Sequence, residues 1–144
     1  MGSHPLVQIH LLGQPTEGAD ANLPNSSGQT ALFAACTGGH EVSVKELLNA
    51  DARVDKAAHD GWTPLHVACE KGQVDAARLL LDRGAEVDRA TKNGATPLWV
   101  ACENGQVDAA RLLLDKGAEV DRPTKSGATP LWVACENGQV DAAR

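Results

Sequence analysis

Four cysteines are the first residues whose spacing invites a chemical reading: Cys36, Cys69, Cys102 and Cys135 recur every 33 residues. A thiol attacks or ligates only as the thiolate, and a zinc site of cysteines needs pairs about two to four residues apart. The spacing here is far too long for that. Each cysteine also follows an alanine (Ala35, Ala68, Ala101, Ala134) on an apolar helix face, where it acts as a small buried hydrophobe. Units stacked about 8–10 Å apart hold such thiols beyond the ~7 Å Cα limit of a disulfide. Four free thiols are therefore expected, which suits a reducing compartment.

The remaining reactive residues organise no better. His4, His10, His40, His59 and His66 follow no ligand spacing, and there is no GxxxxGK[ST], HExxH or GxSxG. Asn25-Ser26-Ser27 has the form of a glycosylation acceptor, but Met1 to Leu12 lacks the basic start and apolar stretch of a secretory leader, so the match reads as chance. Leu6 stands where a myristoylation signal needs Ser or Thr. No catalytic residue, no cofactor-binding residue, no metal ligand and no cofactor are expected, and the chain reads as not an enzyme.

What positions the cysteines is a repeat. Gly28, Gly61, Gly94 and Gly127 each open a copy. Gly61 to Asn93 returns as Gly94 to Ser126 with six substitutions, and Gly94 to Arg111 returns unchanged as Gly127 to Arg144. A period of this size marks one supersecondary unit that stacks because it cannot bury its apolar face alone. In the second copy, Thr63-Pro64 reads as an N-cap followed by a proline at the first helical position. Leu65, Ala68 and Cys69 share one face of the helix that follows, and Gly72 ends it in the left-handed conformation. Val74, Ala77, Leu80 and Leu81 line a second helix. Asp75 lies in its first turn, Arg78 pairs with Asp75 or Asp82 on its outer face, and Gly84 ends it. Ala85 to Asn93 is too short for a third helix; it reads as a polar loop anchored by Val87, with Asn93-Gly94 as a turn.

Composition bounds the partners. The chain of 144 residues is 42% hydrophobic and 22% charged, with a formal net charge of −6. That balance argues against nucleic acid, which needs clustered Lys and Arg, and no apolar run reaches the roughly 18 residues of a membrane span.

The unit resembles the ankyrin repeat. The residues that carry the resemblance are Gly61, Thr63-Pro64-Leu65-His66, Ala68, Gly72, Leu79-Leu80-Leu81 and Gly84-Ala85, together with the 33-residue period. It extends over Gly28 to Arg144. It implies an all-α solenoid of stacked helix-turn-helix units with projecting β-hairpin loops, whose concave face binds proteins. The chain departs from the family where Ala58, Thr91 and Thr124 hold an expected Asp position and where Gln73 stands for a His. The histidine of the TPLH motif survives only as His66; Phe33, Trp99 and Trp132 replace it elsewhere. In the family this His ties repeats together, and an indole, with one donor, would turn that tie into packing. Trp99 and Trp132 are accordingly expected to stack as structural neighbours.

The implied domains are 1–27, a degenerate half repeat or leader; 28–60, a divergent first repeat; 61–93 and 94–126, two regular repeats; and 127–144, a truncated fourth. Asp51 replaces the Gly84 equivalent in the first repeat. Leu6 to Leu12 reads as the second helix of a half repeat or as part of a disordered leader. The absence of a Leu-Leu-Leu run after Arg144 suggests a fragment of a longer protein.

Repeats two and three differ at Trp62/Ala95, His66/Trp99, Lys71/Asn104, Arg83/Lys116, Ala90/Pro123 and Asn93/Ser126. Four of these six fall where the family resemblance puts the partner-facing surface. The expected partner-binding residues are Trp62, Lys71, Lys92, Asn93, Glu103, Asn104 and Lys125, with drift at exposed positions as the plainer reading and packing on a neighbouring finger as the plainer role for Trp62. The expected function is a protein–protein interaction module or scaffold. The alternatives are the targeting arm of a larger enzyme, such as a kinase or ubiquitin ligase, and a structural spacer. A monomer is expected, binding a protein partner inside the cell, in the cytoplasm or the nucleus, with neither nucleic acid nor membrane insertion.

Overall fold

The computed structural model describes residues 20–138. The expected helix over Leu6 to Leu12, and whatever follows Gly138, lie outside the described residues. Seven helices are present among them: α1 Ala31–Gly38, α2 Glu41–Asn49, α3 Pro64–Glu70, α4 Val74–Asp82, α5 Pro97–Glu103, α6 Val107–Asp115 and α7 Pro130–Glu136. There is no strand.

The first helix of each repeat starts on a threonine. The Oγ of Thr30, Thr63, Thr96 and Thr129 accepts the backbone N–H three residues on, at 3.1–3.4 Å. Proline follows at the first helical position in all but the first repeat. The second helices begin differently. Gln73 and Gln106 make no side-chain cap, and an aspartate in the first turn meets the helix dipole instead. Their glutamine amides serve the neighbouring repeat, as described below. The second helices end in a left-handed residue: Gly84 at φ 92°, Gly117 at φ 89° and, in the divergent first repeat, Asp51 at φ 66°. Asp51 is the one non-glycine residue in this region among those described, and it takes the shape its position in the repeat demands.

Like packs on like along the stack: α1 on α3, α3 on α5, α5 on α7, and α2 on α4, α4 on α6. The first helices pack on one another more closely than the second helices do, so the row curves with the first helices inside. The core between the two rows is continuous and small in side chain: Ala35, Cys36, Val44, Leu65, Ala68, Cys69, Ala77, Leu80, Ala101, Ala110 and Leu113 are all buried. Val87 packs against it as the loop anchor, and so do half-buried Val74 and Leu81.

The loops turn back on themselves at their tips. The N–H of Asn25, Ala58, Thr91 and Thr124 donates to the carbonyl four residues on, across a turn closed by the opening glycine. One hydrogen bond joins each tip to the next: His59 N to Ser27 O, Lys92 N to Asp60 O, Lys125 N to Asn93 O, at 2.9–3.1 Å. This stacking explains the glycine that opens each copy. At Gly94, φ is +85° and a Cβ would come within 2.9 Å of the Lys125 backbone nitrogen, so a side chain would prise the fingers apart.

Candidate partner-binding surface

The inside of the curve is built from the first helices and the finger tips. Contacts between repeats hold it: two recur with the period and a third is made once, at His66. The amide Nε2 of Gln73 donates to Thr37 O at 3.4 Å, and that of Gln106 to Glu70 O at 2.9 Å. The left-handed Gly72 makes room for the second of these, since a Cβ there would collide with the Gln106 amide. On the loops, Asn22 Oδ1 accepts from Arg53 N at 2.7 Å, Asp55 Oδ2 from Glu86 N at 3.1 Å and Asp88 Oδ1 from Glu119 N at 3.0 Å. Each such oxygen fixes the loop of the next repeat in register. Partial burial raises the Asp55 carboxyl above its usual range, against the opposing pull of the Glu86 N–H it accepts. Sequence reading missed this ladder, although Asn22, Asp55, Asp88 and Asp121 stand one period apart.

His66 makes the third tie. It is fully buried. Its Nδ1 accepts the Thr63 N–H at 3.0 Å, which leaves the proton on Nε2 to be donated to Ala95 O in the next repeat, 3.0 Å away. Burial depresses its pKa to about 4, so the ring is neutral at pH 7. Trp99 holds the same position one repeat later. Its ring packs half-buried against the core, and its indole Nε1 is buried without a partner. The hydrogen-bonded tie has become packing there, as the indole's chemistry implied. Trp132 differs: it is 53% exposed, so the structural role expected for it is not realised among the described residues.

The expected contact residues fall into two groups. Lys92, Asn93 and Lys125 are exposed at finger tips that the backbone bonds hold side by side. Lys71, Glu103 and Asn104 sit at the ends of α3 and α5. Lys71 Nζ lies 3.9 Å from the Glu70 carboxylate. The Asn104 amide donates to Val100 O at 2.8 Å, which turns it back on its own helix. The Glu103 carboxyl is raised above its usual range, first by desolvation and then by the charge of Glu70 in the adjacent repeat. Trp62 stands at the finger base, half-buried, with its ring 5.6 Å from that of His66 and tilted 49° to it. It packs on its own repeat and leaves the rest of its face to solvent.

Cys36, Cys69 and Cys102 are buried thiols, and desolvation pushes Cys36 up to about 12 and Cys102 up to about 11. Cys69 is raised further still, with Cys36 contributing. Such thiols stay protonated and unreactive. Cys135 is exposed, against the expectation that all four are buried. It lies on the helix face that its counterparts bury. Among the described residues no group of three His, Cys, Asp or Glu side chains could hold a metal ion, and no helix is long and apolar enough to cross a membrane.

Stacked helix pairs with projecting loops, curved so that one face is presented whole, define a repeat solenoid of the protein-binding kind. The family model for ankyrin repeats (3 copies) matches residues 2–91 and 88–144, and the chain belongs to the ankyrin repeat family. No curated protein matches it. Ankyrin repeats are generic protein–protein interaction modules and are typically non-catalytic.

Proposed function

We propose that the protein is a non-catalytic scaffold or adaptor that binds a protein partner along the inner face, through Trp62, Lys71, Lys92, Asn93, Glu103, Asn104 and Lys125. The observation that carries this reading is the order of the face itself. Its finger tips are joined backbone to backbone, and its loops are pinned by the Asn22, Asp55 and Asp88 side chains. A surface fixed before binding loses little entropy on binding. The loop positions that differ between repeats two and three, Trp62/Ala95, Ala90/Pro123 and Asn93/Ser126, ride on this frame.

Trp62 supplies the anchor. Its ring packs on His66 and the core, which limits its motion, and an oriented indole is a favoured hot spot. Lys92 and Lys125 add positive charge at the finger tips, which favours an acidic segment there. The test is a binding titration with a captured partner. Trp62→Ala is expected to weaken binding by more than about 1 kcal/mol, compared at equal folded concentration because the ring also packs on the core. Unchanged affinity would remove Trp62 from the surface.

A further inference from the structure

Each finger ends in two residues before an opening glycine: Ser26-Ser27, His59-Asp60, Lys92-Asn93 and Lys125-Ser126. Lys92 and Lys125 hold the same place one repeat apart, and both are exposed. The arginines of their fingers are matched at home: Arg89 lies 3.9 Å from the Glu86 carboxylate and Arg122 lies 3.9 Å from that of Glu119. Neither lysine has an ion-pair partner among the described residues, although Lys92 has a finger on either side. The backbone bonds from Lys92 N to Asp60 O, 3.1 Å, and from Lys125 N to Asn93 O, 2.9 Å, set the tips in a fixed row. Trp62 follows Asp60 by two residues, so an indole, an ammonium and a second ammonium come in order along that row, one to a finger. Ala95 and Ala128 stand in the place of Trp62 in the next two fingers. The indole's own finger carries a carboxylate at its tip, since Asp60 Oδ1 accepts the Trp62 N–H at 3.0 Å.

The tips follow the stack, whose units lie about 8–10 Å apart. A segment that answers this row needs one apolar residue and two carboxylates at the same interval along one edge. A polyproline II helix provides it: three residues per turn at a rise of ~3.1 Å bring every third side chain to one edge, about 9 Å on. A β-strand turns every third side chain to the opposite face. An α-helix takes about seven residues to cover the interval, so it must order more than twice the chain for the same three contacts. We propose, on the strength of the inner-face reading above, that the partner presents a polyproline II segment with proline and two carboxylates at every third position. The proline packs on Trp62, and the carboxylates pair with Lys92 and Lys125. Proline suits the first place because aromatic side chains are what such segments dock against, and because the charge of Asp60 disfavours an acid there. Exposed ion pairs are individually weak, but two at a fixed interval on a stiff segment set its register.

Fluorescence anisotropy of labelled synthetic peptides against the full 144-residue chain tests this. On a Pro/Ala background, a peptide with proline, glutamate and glutamate at every third place is made in both chain directions. The better of the two is expected to bind about fivefold tighter than its isomer with the glutamates adjacent, and added salt is expected to weaken it. Lys92→Gln with Lys125→Gln is expected to abolish the difference between the isomers at an unchanged helical circular dichroism spectrum, since both side chains are exposed. Arg78→Gln with Arg111→Gln, an equal change of charge at exposed positions of α4 and α6, is expected to keep it. Equal binding of the isomers, binding of neither at about 1 mM, tighter binding of a helical peptide with the same three residues seven apart, or a difference that survives the lysine change would each overturn the proposal. The inner-face reading fails by a different sign: a captured protein partner would stay bound to the Trp62→Ala and lysine variants, whatever the peptides do.

Discussion

At the scale of single residues, His66 ties two repeats together. Its ring links Thr63 of its own repeat to Ala95 of the next from a fully buried position. The folded pKa, about 4, lies below the ordinary 6.5. The unfolded chain therefore binds the proton more readily. The stabilisation is complete above pH 6.5 and is lost as the pH falls toward 4, in all by roughly 3 kcal/mol. Asp55 and Glu103, whose carboxyls are raised, act in the opposite sense near the carboxylate range. Urea unfolding at pH 7, 6 and 5 separates the two. His66→Gln is expected to be less stable at pH 7 and flatter between pH 7 and 5 than the wild type. A parallel pH dependence in both proteins would remove His66 from this role.

The residues of the TPLH motif were legible in sequence, because a cap, a helix-starting proline and a buried leucine each leave a local mark. The role of His66 was legible only through family resemblance. The Asn22, Asp55 and Asp88 ladder was not read, because a loop carboxylate reaching a backbone N–H 31 residues on leaves no local pattern. Asp88→Ala is expected to cost about 1 kcal/mol and to raise hydrogen exchange at Glu119 N first. Exchange that rises evenly over the chain would mean that the ladder does not act locally.

At the scale of elements, helix ends are set by few atoms and substitution reads them out. Thr96 is fully buried and its Oγ accepts the Trp99 N–H, so Thr96→Ala is expected to destabilise by about 1 kcal/mol or somewhat more. At the end of α2, Asp51 holds φ 66° where the regular repeats use glycine. Asp51→Gly is expected to stabilise by up to about 1 kcal/mol, as the left-handed strain is relieved. Loss of stability in chemical denaturation would show that the Asp51 side chain contributes more than its backbone strain costs. The helix pairs were legible to within a residue because capping, periodicity and glycine agreed. The loops were legible as turns, but their joining tip to tip was not, since a single backbone hydrogen bond per repeat has no side-chain signature.

At the scale of the whole molecule, the stack converts a period in sequence into a surface in space. The core is built from alanine, cysteine, valine and leucine that recur in place, so neighbouring helices approach closely and the frame tolerates change at its tips. The ends break this regularity. Trp132 and Cys135 could not be placed from the repeat alone, because burial at these positions depends on what packs against them and not only on the repeat's own residues. The surface residues were legible only as differences between copies. The structure brings Lys92, Asn93 and Lys125 together at the tips and sets Lys71, Glu103 and Asn104 at the helix ends.

Binding at the inner face is read out by a paired capture. One variant alters the inner face (Trp62→Ala, Lys92→Glu, Lys125→Glu), and the other alters the exposed outer side of α4 and α6 (Arg78→Glu, Arg111→Glu). Both are compared with the wild type for retention of the same partner at equal folded concentration. The account predicts that the outer variant retains the partner and the inner variant loses it. Retention by the inner variant with loss by the outer one would contradict it.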